Sequence, residues 1–193
     1  MKKILMYSAL ALLVSCGGND DKKAQVEEKP QAPLVQSKNS DSFNESFGKL
    51  MDNYIHLKDN FITESDSLIT YYAQHLKSDV DSLPLSELKA DTSIVATAKQ
   101  NTQSISSELK GLLGEKTLEG KRKSFQMVGN ELYDLIRAVQ YDKEVIYHQF
   151  CPMAFNDQGA NWLSRTSDIK NPYLPKKMLT CGEVQDSIDY RKK

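Results

Sequence analysis

Phe43-Asn44-Glu45-Ser46-Phe47-Gly48-Lys49-Leu50-Met51-Asp52-Asn53-Tyr54-Ile55-His56-Leu57-Lys58-Asp59-Asn60-Phe61 is the stretch that decides the fold. Phe43, Phe47, Leu50, Tyr54, Leu57 and Phe61 recur at alternating spacings of four and three, with polar residues between them. That spacing lays the apolar side chains along one face of an amphipathic helix. Ser42 and Glu45 have the spacing of a capping box at its start. A helix with one apolar stripe needs partners, and the sequence supplies three more stripes.

The second helix is predicted to start after Thr63, with Asp66 in the answering position. Its stripe is Ile69, Tyr72, Leu76, Val80 and Leu83, and Pro84 ends it. Ile94, Ala98, Ile105, Leu109 and Leu112 form the third, stopping at Gly114. Leu118, Phe125, Val128, Leu132, Leu135 and Val139 form the fourth. Four helices with short connections predict an antiparallel up-down bundle over residues 42–143. The joining loops favour an intramolecular bundle over a coiled-coil oligomer, so a monomer is expected. Arg122 interrupts the fourth stripe. It reads as a surface residue, the alternatives being an ion pair with a neighbouring helix or a reach to the tail. Lys121-Arg122-Lys123 as a group reads as a solvated helix face.

Upstream, Lys2 and Lys3 precede a short apolar run that ends Leu13-Val14-Ser15-Cys16. A basic start and an apolar run too short to span a bilayer make a signal peptide over residues 1–15. Leu13 to Cys16 resembles a lipobox, so cleavage before Cys16 and a lipid anchor on its sulfur are expected. Residues 16–41 are rich in polar residues, Gly and Pro, and read as a disordered tether. Asp20-Asp21 resembles an outer-surface sorting signal and reads equally well as soluble linker. No second apolar run is long enough for a membrane helix. With Lys2 and Lys3 removed, 23 basic residues face 26 acidic ones. That balance argues against nucleic acid as a partner.

Residues 144–193 lose the helical period. Val145-Ile146-Tyr147-His148-Gln149-Phe150 reads as a short strand. The rest, broken by Pro152, Gly159, Pro172, Pro175 and Gly182, reads as an irregular, loop-rich tail anchored by Trp162, Tyr173 and Leu174. The fold class is thus mainly α, a four-helix bundle with a short strand and an irregular tail.

The chemistry-bearing residues are in that tail: His148, Cys151, Met153, Met178 and Cys181. Thiolate and thioether donors select Cu(I), and imidazole also suits copper or zinc. If the tail folds back, four sulfurs and one nitrogen can converge on one ion. A four-cysteine zinc site lacks its ligands, and no carboxylate cluster suggests Ca2+ or Mg2+. The alternative stays open. In an oxidising compartment Cys151 and Cys181 can form a disulfide, Met153 and Met178 can fill core space, and His148 can sit hydrogen-bonded at a strand edge. Asn171-Pro172-Tyr173 reads as a turn, and Trp162 as an apolar body with one N–H to satisfy.

An enzyme is not expected. Ser46-Phe47-Gly48-Lys49 and Ser107-Glu108-Leu109-Lys110 match a serine–lysine pattern but lie on predicted surface helices. His148 with Cys151 lacks an orienting acid for a nucleophile–base pair. His56 and His75 read as solvated.

Cys151-Pro152-Met153-Ala154-Phe155, Gly159-Ala160-Asn161-Trp162-Leu163-Ser164, Ile169-Lys170-Asn171-Pro172-Tyr173 and Met178-Leu179-Thr180-Cys181-Gly182-Glu183-Val184 together resemble a known module. It is a domain-of-unknown-function family found on envelope lipoproteins. It also occurs at the C-terminus of CusB-type periplasmic adaptors of copper/silver efflux pumps. The resemblance spans roughly residues 43 to 189. It implies soft-metal handling in the cell envelope, with heavy-metal efflux components as partners. The adaptor's hairpin and barrel regions have no counterpart here, so the chain does not resemble the adaptor itself. The expectation is a lipid-anchored protein that binds Cu(I) or Ag(I) for buffering or delivery to efflux. Its alternative is a structural or protein-interaction lipoprotein with a disulfide-stapled tail. For the anchor, Cys16→Ser is expected to leave the precursor uncleaved and unlipidated. Membrane fractionation and mass spectrometry of the N-terminus check this, and unchanged processing would remove Cys16 as the lipid site.

Overall fold

The protein's structure, a computed structural model, describes residues 39–191. The expected signal peptide, Cys16, Asp20-Asp21 and most of the expected tether lie outside the described residues. Four long helices form the bundle: α1 (Asp41–Thr63), α2 (Asp66–Asp81), α3 (Thr92–Gly114) and α4 (Leu118–Val139). All six stripe residues of α1 are fully buried. Each buried Phe or Leu side chain contributes about 1.5–3 kcal/mol relative to exposure. The stripes of α2 to α4 are also inward, except that Ile94, Tyr72 and Leu118 are half-buried. Leu83 lies past the end of α2, and Ala73 takes a buried place on that helix instead.

The helix starts differ in detail from the sequence reading. Ser40, not Ser42, caps α1, its hydroxyl accepting the Phe43 N–H at 3.0 Å. Ser42 instead donates to Glu87, and Glu45 pairs with Lys49. Thr63 lies inside α1, and the corner to α2 is only Glu64-Ser65, with Glu64 in the left-handed region at φ 56°. Asn39 donates to the Val139 carbonyl at 3.0 Å, so ordered structure begins ahead of the expected boundary at residues 41 and 42.

Short connections force successive helices to run antiparallel. Backbones approach between α1 and α2, α2 and α3, and α3 and α4. On the remaining side α1 and α4 meet through rings, with Phe125 against Tyr54 at 5.4 Å and Phe61 at 4.8 Å.

The tail lies over that side and is more regular than expected. Strand β1 (Ile146–Cys151) matches the predicted strand, but it is the centre of a three-stranded antiparallel sheet. Its neighbours are β2 (Ala160–Ser164) and β3 (Glu183–Ile188), in the order β2-β1-β3. Two short helical turns complete the tail, α5 (Ala154–Asp157) and α6 (Pro175–Met178). The sequence reading missed β3 because its residues are almost wholly exposed and mostly polar, leaving no apolar alternation. β2 was missed because it is buried at four of its five positions, so its strand period is hidden.

β2 contacts both α1 and α4. The Tyr54 hydroxyl, fully buried, accepts the Leu163 N–H at 3.1 Å, and burial pushes its phenol far up. Gly129 of α4 makes this approach possible, since a Cβ there would lie 3.0 Å from the Tyr54 oxygen.

Arg122 is not a surface residue. Its guanidinium donates to the Pro172 carbonyl at 2.9 Å, to the Phe61 carbonyl at 3.3 Å and to Glu64 at 3.0 Å. It thus satisfies one of the free carbonyls at the end of α1 while gripping the tail. Glu64 also pairs with Lys176 of α6, and the hydrogen bonds from Lys176 and Arg122 hold its carboxyl below the usual range. Lys121 is buried as well and donates to Asp66 at 2.5 Å. Of the three basic residues read as a solvated face, only Lys123 is exposed.

Candidate functional site

The tail brings Cys151 and Cys181, thirty residues apart in sequence, into direct contact. Their Sγ atoms are 2.8 Å apart and both are free thiols. Cys151 ends β1, pairs with Ala160 of β2, and is fully buried. Cys181 follows α6 and is half-buried. The hydrogen bond shared with Cys151 raises the Cys181 thiol above its ordinary range, and burial adds to this. The Met153 backbone N–H, bonded to the Cys181 sulfur, works the other way.

Cys181 is held by the loop before it. Its N–H donates to the Met178 carbonyl at 3.0 Å. Its carbonyl accepts from the Asn171 side chain at 3.1 Å. Asn171 is fully buried, and its side-chain oxygen accepts the N–H groups of Tyr173 and Leu174. Its own N–H reaches the Leu179 carbonyl at 2.8 Å. This is the turn expected of Asn before Pro, closed into a loop that ends at the cysteine. Trp162 is fully buried, as expected of an anchor, but its indole N–H finds no partner among the described residues. Tyr173 stands edge-on to it and donates its hydroxyl to the Asn161 carbonyl.

Gly182 makes room for the contact. Its φ is 143°, and a Cβ there would lie 2.7 Å from the Phe150 carbonyl oxygen and 2.9 Å from the Trp162 ring. Neither neighbour can yield, one being backbone and the other a buried indole.

On the other side of Cys151, the chain turns through three consecutive left-handed residues, Phe155 (φ 52°), Asn156 (φ 56°) and Asp157 (φ 64°). Asn and Asp tolerate that region, whereas Phe pays about 1–2 kcal/mol for it. Phe155 is held there by its ring against Tyr173 at 5.3 Å. The signal for this turn was present in Asn156-Asp157-Gln158-Gly159, a run of turn formers that the sequence reading passed over.

The other candidate ligands divide. Met153 is 43% exposed and lines a hollow of about 430 Å3 that also includes Phe155 and Arg122. Met178 is 37% exposed on α6. Neither methionine fills the core, which removes the packing role open to both in the sequence. His148 is not brought to the cysteines. Alternation along β1 sends it to the opposite face from Cys151, about 10 Å away along the strand. There its ring stacks on Tyr133 of α4 at 4.2 Å, opposite Asp186 in the strand register. Burial lowers its pKa, against the pull of Asp186 and Asp134. Tyr133 in turn donates to Asp186 at 2.7 Å, and its phenol is pushed up to about 12, by burial first and that carboxylate second. His56 and His75 are exposed on their helices, His56 stacked on Tyr72 and His75 against Tyr71 with the rings tilted. Lys49 and Lys110 of the two serine–lysine patterns are exposed too.

Among the described residues no group of three or more His, Cys, Asp and Glu side chains is placed to hold a metal. Any ion at this site would rest on the two thiolates, with further donors drawn from thioethers.

Residues 50–144, most of the bundle, match the model of a family described as a protein of unknown function (DUF3347). The match ends before Cys151, and the tail motifs that suggested a family lie beyond it. No curated protein and no solved structure matches the chain.

Gly182→Ala is expected to lower stability by about 1–3 kcal/mol, since the added methyl overpacks a rigid site. Gly114→Ala, whose Cβ meets nothing, is the control. It is expected to be neutral or stabilising by about 0.4–1 kcal/mol. Urea denaturation of both variants checks this.

Proposed function

We propose that this protein is a lipid-anchored protein of the cell envelope that binds one soft metal ion, Cu(I) or Ag(I), through the thiolates of Cys151 and Cys181. The meeting of these two thiols is the observation that carries the reading. Two soft donors without a third imidazole or carboxylate suit Cu(I) better than zinc, which takes four ligands in structural sites. Met153 is the third donor. Its amide already touches Cys181, and its thioether, free of the core, can swing to the ion. Met178, three residues before Cys181, is a reserve fourth donor, and His148 is left out because it faces α4. Metal–thiolate bonds of about 2.3 Å need the two sulfurs roughly 1 Å or more further apart than they stand. Rotation at Cys181, the less buried of the two, supplies that opening. The protein buffers the ion or passes it to an efflux system and performs no catalysis of its own. The lipobox-like Leu13-Val14-Ser15-Cys16 supports the anchor, and among the described residues no helix is long and apolar enough to cross a membrane.

The close sulfur contact favours a second reading, in which Cys151 and Cys181 are a permanent staple of the tail and the bundle serves as a protein-interaction scaffold. Anaerobic Cu(I) titration of the reduced full chain against a competing chelator separates the two. Cys151→Ser and Cys181→Ser are each expected to weaken binding at least about 100-fold, above the 10–100-fold typical of groups one shell removed. Met153→Leu is expected to weaken it measurably, and His148→Ala to leave it unchanged. Wild-type binding no tighter than that of the double cysteine variant would end the metal reading.

A further inference from the structure

We infer that Cys151 and Cys181 form an exchange-active dithiol, in which Cys181 meets an incoming disulfide and Cys151 resolves it. The inference draws on the same two thiols as the metal reading but does not depend on it.

Two observations point this way. The first is proximity: the sulfurs already touch at 2.8 Å, so bond formation needs no movement of the tail. The second is asymmetry of access. Cys151, at the end of the central strand, is fully buried, whereas Cys181 is only half-buried. An outside reagent reaches Cys181 first, and Cys151 is reachable only from Cys181.

The exchange balances in two steps. The Cys181 thiolate attacks one sulfur of the partner disulfide. The partner's S–S bond breaks, a mixed disulfide forms on Cys181, and the second partner sulfur leaves as thiolate. The Cys151 thiolate then attacks the Cys181 sulfur, forming the Cys151–Cys181 bond and expelling the first partner sulfur. This chain gives up two electrons and two protons, and the partner disulfide becomes a dithiol. Hydrogen bonds of Asn171 and Arg122 and the strand pairing of β1 hold the segments that carry the two cysteines, independently of any bond between the sulfurs.

The test uses the reduced full chain, a chelator to keep metal out, and oxidised glutathione as the probe, with acid quenching and peptide mass mapping. Wild type is expected to lose two hydrogens and close to the intramolecular disulfide, with little lasting adduct. Cys151→Ser is expected to trap a stable glutathione adduct on Cys181. Cys181→Ser is expected to take up glutathione on Cys151 at least about ten-fold more slowly, because that thiol is buried. A wild type that stays an open dithiol or rests as a mixed disulfide would overturn the inference, as would adducts forming equally fast on either cysteine. Pulse alkylation of unsubstituted reduced protein guards against misfolded variants. Cys181 is expected to label about ten-fold ahead of Cys151, and equal rates would overturn the inference. Closure in this assay without Cu(I) binding in the titration would leave the exchange standing and end the metal reading. Cu(I) binding without closure would do the reverse.

Discussion

The buried side-chain amide of Asn171 is the constraint on which the rest of the tail depends. Its oxygen accepts two backbone N–H groups of the turn that follows it, and its nitrogen donates to the Cys181 carbonyl ten residues later. One side chain thus closes the loop from residue 171 to residue 181 and fixes the height at which Cys181 meets the end of β1. An amide left unpaired in this interior would cost about 1–3 kcal/mol, so the loop has one arrangement that satisfies it. Arg122 ties the same loop to the bundle through the Pro172 carbonyl, one residue from Asn171. The position of the second thiol is therefore set by the helices, through a guanidinium, a proline carbonyl and an amide.

The first thiol is positioned by a separate route. β2 lies over the side where α1 and α4 meet through rings rather than backbone, and the Tyr54 hydroxyl takes the Leu163 N–H there. Register then carries Cys151 to its place opposite Ala160. The two routes meet at the sulfurs and where Tyr173 reaches the Asn161 carbonyl, and Gly182 lets the chain after Cys181 pass close to the Phe150 carbonyl and the Trp162 ring. Bundle and tail divide the work. Residues 50–144, matching a family of unknown function, supply the platform, and the two thiols sit beyond them.

The helices were legible in the sequence because a stripe with a period near 3.6 is a direct image of a buried face. The cap at Ser40 was not, because two serines compete for that place, both reach Glu87, and only the Phe43 N–H that Ser40 accepts separates them. Two strands escaped notice for opposite reasons: β2 is nearly all buried and β3 nearly all exposed, so neither alternates. The thiol pair was legible as a set of soft residues, and its closeness was not, since it depends on pairings thirty residues apart. His148 looked like a ligand because it stands three residues from Cys151. In a strand, an odd spacing sends side chains to opposite faces. Arg122 broke an apolar stripe and was read outward, yet a guanidinium with three polar partners is satisfied inside. A sequence pattern does not display those partners.

The claim that the tail folds to hold two thiols for one soft ion is tested most directly by copper X-ray absorption on the Cu(I)-loaded full chain. The predicted spectrum has a first shell of sulfur alone, with no imidazole scattering, and loses one sulfur in Met153→Leu. A first shell of nitrogen and oxygen, unchanged in Cys181→Ser, would contradict the account.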